Sequence, residues 1–183
     1  MTDSIADIRV LFRPLLDEAV GALDRRSEQY PALVAAGTLD AASAHADILA
    51  WRAIVADWRR VVMGDPEPPT DPAPIGAKLA ALVTAAERYD VAIKRSISNQ
   101  PDAVRRDLAD YSDRRYLRDR HGAPLALYLD LLDSRDRIEE LHAIYASERP
   151  GGRPWRGLWA GIEEYLSFHL SARAARNGER RAA

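Results

Sequence analysis

Residues 40–63 have the sequence DAASAHADILAWRAIVADWRRVVM. The large apolar side chains in this stretch recur three and four positions apart, a spacing that places them on one face of an α-helix. They are Ile48, Trp51, Val55, Trp58 and Val62. Gly64 follows at a position where helices commonly end. We therefore predict a helix over residues 40–63 with one apolar face.

The same periodicity extends to both sides of this stretch. Further helices are predicted over residues 4–29, 75–97, 124–147 and 155–177, and the segment 102–121 is helical by composition. Pro14 either kinks the first helix or begins a second helical piece. Alternation of apolar and polar residues, as in a half-buried strand, does not occur over a useful length. The predicted fold class is all-α, a four-helix bundle with one or two accessory helices.

Length and composition predict one globular domain over residues 1–183. The chain is 47% hydrophobic and 30% charged, and it is long enough to bury a core without covalent cross-links. Residues 65–74 contain five prolines, which exclude a helix and predict a stiff, extended connector. This connector is too short to indicate two domains. The tail at residues 179–183 is expected to fray.

The composition also excludes several classes of function. Cysteine is absent, which excludes disulfides, cysteine-ligated metals and thiol catalysis, and favours a reducing compartment. No apolar run approaches the roughly 18 residues that span a membrane, and the N-terminus lacks the layout of a signal peptide. The net charge of −2 argues against a nucleic-acid partner. We expect a cytoplasmic protein with no membrane partner.

Three histidines fall near the predicted apolar faces of three different helices: His45, His142 and His169. Helical bundles build metal and substrate sites from inward side chains of this kind. Imidazole is a common metal ligand and a general base near neutral pH. The alternative for each is a partly buried histidine bonded to a backbone group or a carboxylate. His121 precedes Gly122 and is instead predicted to cap a helix C-terminus.

Aromatic residues lie on the same predicted inward faces. They include Trp51 and Trp58 on the second helix, and Trp159 and Tyr165 on the last. Core packing is the favoured interpretation, because each ring buries a large apolar area. The alternative is the wall of an apolar pocket, for which Trp51, Trp159 and His142 are the candidate ligand-binding residues.

Two stretches resemble DinB-type helical proteins. They are AHADILAW at residues 44–51 and WRGLWAGIEEYLSFH at residues 155–169. The proline-rich run after Gly64 is similar to the connector in the DfsB/ClbS-type branch of that superfamily. The resemblance covers the chain in pieces and leaves residues 75–122 as a partly unmatched insertion.

This resemblance implies a four-helix bundle, commonly a dimer, that binds a divalent metal such as Zn or Ni through three histidines. His45 and His169 match the first and last of those positions, and Tyr165 stands where the middle histidine is expected. His45 and His169 would then be metal ligands or catalytic acid–base groups, and Tyr165 a catalytic hydrogen-bond donor. The implied function is hydrolysis or group transfer on a small metabolite held in a cavity of the bundle, in a chain that forms a homodimer.

A second hypothesis is a non-enzymatic interaction module. Asp and Arg alternate through residues 102–121, which predicts a solvated face with local ion pairs that would serve as a protein-binding surface. The arginines themselves are interpreted as compositional. Lys78 and Lys94 are the only lysines among 26 basic residues, a bias that favours a GC-rich genome over a phosphate-binding role.

A third hypothesis is a HEPN-like ribonuclease. Arg135 and His142 have the spacing found in that class of helical proteins, in which arginine would bind phosphate and histidine would activate a ribose hydroxyl. Arg115 and His121 repeat the spacing, so an arginine-rich chain produces it by chance.

Overall fold

The structure is a computed structural model that describes residues 3–63, 73–110 and 113–146, with side chains described from residue 10 onward. Regular secondary structure in these ranges is entirely helical, which confirms the all-α class. The helices are α1 (Asp3–Ala35), α2 (Ala41–Met63), α3 (Ile75–Ser98), α4 (Asp102–Asp110), α5 (Arg114–His121) and α6 (Ala123–Ala146). None of them combines the length and the apolar character that a membrane-spanning helix requires.

The predicted boundaries differ from the structure in two places. Helix α1 continues past its predicted end at residue 29 and runs through both Pro14 and Pro31 to Ala35. The predicted helical segment 102–121 is two helices, α4 and α5. Of the predicted connector, Pro74 is described and is extended, with φ −57° and ψ 148°. The predicted last helix and the C-terminal tail lie outside the described residues.

A tight turn reverses the chain between α1 and α2. Gly37 adopts φ 69°, and the amides of Gly37 and Thr38 donate to the carbonyls of Val34 and Leu33. This pattern closes the helix C-terminus and relies on a residue that tolerates positive φ. The carboxylate of Asp40 then accepts the Ser43 amide at 2.8 Å and caps α2. Because the turn reverses the chain, α2 packs against α1.

The four long helices in the described part of the chain contact one another in a ring. Helix α1 packs on α2, α2 on α3, α3 on α6, and α6 on α1. Side chains from all four form one continuous apolar core. Its largest fully buried members are Trp51, Trp58, Tyr145, Phe12, Leu15, Ile54, Leu82, Ile138 and Leu141. The burial of Trp51 and Trp58 agrees with their interpretation as core residues.

An ion pair lies inside this apolar core. Lys78 is 2% exposed and Asp57 is 4% exposed, and Lys78 Nζ lies 2.5 Å from Asp57 Oδ2. The buried hydroxyl of Tyr145 donates to the same oxygen at 2.8 Å. Three helices therefore meet at one carboxylate. Burial of two charges is tolerated because each is paired and hydrogen-bonded.

Helices α4 and α5 form a smaller apolar cluster with the start of α6. Its buried members are Val104, Leu117, Leu125 and Leu129. The charged residues around this cluster form ion pairs, as predicted, although many pairs reach across to α6 and are not local to residues 102–121. The α6 carboxylates involved are Asp130, Asp133 and Asp136.

Candidate functional site

The structure corrects the predicted position of His45. Its side chain is exposed, whereas the preceding Ala44 is buried. Trp51 follows His45 by six positions, a spacing that sets the two side chains about 120° apart around a helix axis. The buried face of α2 instead runs through Ala44, Trp51, Val55 and Trp58. The prediction that His45 faces inward is therefore wrong.

The other predicted metal and catalytic residues do not complete a site in the part of the chain that the structure describes. His142 is half-buried on α6, while His169, Tyr165 and Trp159 lie outside the described residues. Among described residues, no group of three or more His, Asp or Glu side chains is placed to hold a metal ion. No metal-dependent step is therefore assigned.

The arginine of the HEPN-like pair, Arg135, already forms ion pairs with two carboxylates. Arg135 Nε lies 3.0 Å from Asp90, and its Nη1 lies 2.7 Å from Glu139. A guanidinium held by two carboxylates is poorly placed to receive a phosphate, because the like-charged oxygens would repel it. The described contacts therefore do not favour the ribonuclease hypothesis.

His121 ends α5, as expected of a residue at a helix C-terminus. Gly122 follows with φ 60° and donates its amide to the Arg118 carbonyl. The ring of His121 is not only a cap, because its Nε2 lies 2.9 Å from Asp107 on α4. This contact ties α4 to the end of α5.

A pocket of about 170 Å³ opens between α1, α3 and α6. Arginines from two helices face it across small apolar residues. The lining residues are Ala22, Arg25, Arg26 and Gln29 from α1, Ala85, Arg88, Tyr89 and Ala92 from α3, and Leu131 from α6. Ala22, Arg26 and Ala85 are buried, whereas Arg25, Gln29 and Arg88 are exposed, so the pocket runs from the core to the surface.

Arg26 is the buried arginine of the pocket, with 6% of its surface exposed. Its Nε lies 2.8 Å from Asp47 on α2, and its Nη1 donates to the Ala22 carbonyl at 3.0 Å. The guanidinium carbon lies 4.4 Å from the centroid of the Trp51 ring, a favourable cation–π geometry. Nη2 is buried with no hydrogen-bond partner among the described residues. Arg26 therefore keeps a donor group for which the described chain supplies no acceptor.

Arg25 belongs to a second network at the pocket. Its Nη2 donates to Tyr89 at 2.7 Å and to Glu18 at 3.0 Å, and the Tyr89 hydroxyl donates to Glu18 at 2.6 Å. Burial, followed by the neighbouring Glu18 carboxylate, raises the pKa of Tyr89 to about 12. Tyr89 is therefore a neutral hydroxyl at physiological pH. The Nε and Nη1 groups of Arg25 have no hydrogen-bond acceptor among the described residues.

Of the three pocket arginines, Arg88 forms the fewest hydrogen bonds and ion pairs with described residues. Its Nη1 donates to the Tyr30 hydroxyl at the long distance of 3.4 Å, and it forms no ion pair within the described chain. Tyr30 is held in turn by a hydrogen bond from its hydroxyl to Asp47. The positive charge of Arg88 is thus not neutralised by any described neighbour in direct contact.

The pocket arginines were missed because the arginine content was interpreted as compositional. Two patterns could have identified them. Arg26 falls on the same face of α1 as Ala22 and Tyr30, at spacings of four, and Arg88 follows Ala85 by three on α3. A charged side chain on an otherwise small, apolar face indicates either a buried partner or a ligand.

Comparison of this chain with protein-family models, with curated proteins and with solved structures finds no match. A function is therefore inferred from the chemistry of the pocket. The described residues that line the pocket include three arginines and a neutral tyrosine, and no histidine, serine or carboxylate is among them. Such a lining is suited to recognition of a ligand more than to acid–base or nucleophilic catalysis.

Proposed function

We propose that this protein binds a small molecule in the pocket between α1, α3 and α6. The observation that carries the proposal is Arg88, a pocket arginine with no ion-pair partner in the described chain, beside the buried Arg26 with its unpartnered Nη2. An unsatisfied buried donor costs about 1–3 kcal/mol, so a ligand that accepts from it gains binding energy.

The size and lining of the pocket favour a metabolite. Its volume of about 170 Å³ is below the roughly 300–1,000 Å³ typical of sites for drug-sized ligands. Its apolar surface comes from alanines and Leu131, which are short enough to leave room between the helices. This proposal keeps the small-molecule ligand expected from the sequence but moves it away from His45.

The wider architecture fits this function. The ring of contacts among α1, α2, α3 and α6 supports a four-helix bundle as the arrangement that frames the pocket. A DinB-like relationship remains a hypothesis that rests on the quoted residues 44–51 and 155–169. Hydrolysis or group transfer is not part of the proposal, because the described lining residues do not supply a nucleophile and base.

The proposal is tested by blocking the pocket without changing its charge. Ala92 lines the pocket and is half-buried, so Ala92→Leu fills part of the space. Ala80 is exposed on the same helix, and Ala80→Leu is the matched control. A fragment library containing anions, cations and neutral compounds would be screened against all three proteins by saturation-transfer NMR.

Compounds that bind wild type and Ala80→Leu but not Ala92→Leu would support the pocket. An absence of binders, or binders that tolerate Ala92→Leu, would contradict it. Circular dichroism and thermal unfolding of each variant show whether the fold is retained, so that loss of binding is not confused with loss of structure.

A further inference from the structure

We infer that the ligand of this pocket is a small organic acid, with its carboxylate bound by Arg88 and Arg25 and a short apolar body packed on the alanine wall. This inference rests on the proposed function and specifies the chemical class of the ligand. Three properties of the pocket support it: its charge, the origin of its donors, and its apolar surface.

Cations exceed carboxylates around the pocket. Asp47 pairs with Arg26, and Glu18 pairs with Arg25 and lies 3.7 Å from Arg137. Arg88 adds a further positive charge without a carboxylate of its own in the described chain. An anion is therefore attracted to the pocket mouth, where the exposed Arg25 and Arg88 lie.

The free hydrogen-bond donors that the described lining residues offer to the pocket are all side-chain groups. Its lining residues fall within the interiors of α1, α3 and α6, where each backbone amide is already used by the helix. Phosphate sites commonly use unpaired amides at a helix N-terminus, and this pocket has none among its described lining residues. A guanidinium fork binds either a carboxylate or a phosphate through two parallel hydrogen bonds, so two arginines with unused donors suit an anion. The lack of free amides among the described lining residues favours a carboxylate of the two.

Apart from the arginines, Gln29 and Tyr89, the described lining residues are apolar. Ala22 on α1, Ala85 and Ala92 on α3, and Leu131 on α6 present hydrocarbon to the pocket. A ligand with a charged end and a hydrocarbon end matches this division. A fully hydrated inorganic anion would leave the apolar part of the wall unfilled.

The test compares three probes of similar shape and different charge by isothermal titration calorimetry: phenylacetate, phenylacetamide and phenethylamine. Inorganic phosphate is a fourth probe, used alone and in competition. The protein variants are Arg88→Gln, which removes the pocket arginine that has no ion pair in the described chain, and Arg95→Gln, which removes an exposed charge on the same helix outside the pocket.

We expect phenylacetate to bind at least about tenfold more tightly than either analogue, with phosphate failing to displace it. Arg88→Gln should weaken phenylacetate by about tenfold to a hundredfold, the effect of losing a charge-assisted hydrogen bond, and leave phenylacetamide nearly unchanged. Arg95→Gln should bind as wild type does. Added salt should weaken phenylacetate selectively, since Arg88 is exposed.

Three outcomes would overturn the inference. Equal binding of phenylacetate and phenylacetamide, both abolished by Ala92→Leu, would refute selectivity for a carboxylate. The same result would still support ligand binding in the pocket. Displacement by phosphate with comparable affinity would assign the pocket to phosphate. Failure of every probe to bind would refute the inference, and the fragment screen then decides whether the proposed function fails with it.

Discussion

The guanidinium of Arg26 stacks on the ring of Trp51, with 4.4 Å between the guanidinium carbon and the ring centroid. The contact joins α1 to α2 and places a charged pocket residue directly on the apolar core. Asp47 holds the other side of the guanidinium through a 2.8 Å ion pair. The inner end of the pocket is therefore anchored to the apolar core.

We predict that Arg26→Lys destabilises the protein by about 1–3 kcal/mol, because an ammonium cannot both stack on Trp51 and bond Asp47 and the Ala22 carbonyl. Urea unfolding measures the change. Arg13→Lys is the matched control, because Arg13 pairs with Asp17 on the exposed surface of the same helix. An equal effect of both substitutions would show that Arg26 contributes no more than a surface residue.

Tyr89 provides a prediction about pH. Burial and the Glu18 carboxylate raise its pKa to about 12 in the folded protein, from the 10.0 of an unperturbed tyrosine. Because the folded pKa is raised, the stability contributed by the protonated phenol is complete below pH 10 and is lost as pH rises toward 12. The difference in unfolding free energy between wild type and Tyr89→Phe should be constant below pH 10 and shrink above it. A difference that grows above pH 10 would contradict the assignment.

The buried carboxylate of Asp57 gives a prediction about the core. Asp57→Ala leaves Lys78 buried without a carboxylate partner in the described chain, so we expect a loss of about 3–5 kcal/mol. A triple variant, Asp57→Leu with Lys78→Met and Tyr145→Phe, removes the polar groups together and should recover most of that loss. Denaturant unfolding measures both. If the triple variant is as unstable as Asp57→Ala, the loss of stability comes from altered side-chain packing and not from the unpaired lysine.

The α5–α6 ion pairs give a prediction about local dynamics. Arg114 lies 2.5 Å from Asp133 and 2.6 Å from Asp136, and is partly exposed. Arg114→Gln should accelerate hydrogen exchange of the α5 amides and leave α1 and α2 unchanged, because the pairs hold a peripheral helix. Arg115→Gln is the control, since the Arg115 side chain is exposed and forms no ion pair among the described residues. High salt should reproduce the Arg114→Gln effect in wild type.

Much of the fold was predictable because apolar periodicity reports which side chains are buried. The bounds of α2, α3 and α6 lie within one or two residues of those predicted from spacing. The extension of α1 through Pro31 was not predictable, because local propensity disfavours proline inside a helix whereas packing of Tyr30 and its contact with Asp47 favour continuation.

The candidate site was less predictable than the fold. Histidine is a common metal ligand and general base, so each histidine is a candidate from the sequence. Whether its side chain is buried depends on its angle around the helix axis, and His45 lies one residue from the buried Ala44. The pocket depends instead on Arg25, Arg26 and Arg88, which only the tertiary arrangement of α1 and α3 brings to one cavity. Arginine is usually an exposed residue. The spacing of residues along one sequence does not show which distant carboxylate an arginine pairs with in the fold.

Binding of an organic acid in the pocket between α1, α3 and α6 is best tested by an NMR titration with phenylacetate. The titration follows the arginine side-chain Nε–H signals and the backbone amides. We expect saturable shifts at the Arg25 and Arg88 side chains and at the Ala92 amide, with no change at Arg95. Shifts that are absent at saturating phenylacetate, or that fall on α5 and its carboxylate partners on α6, would contradict it.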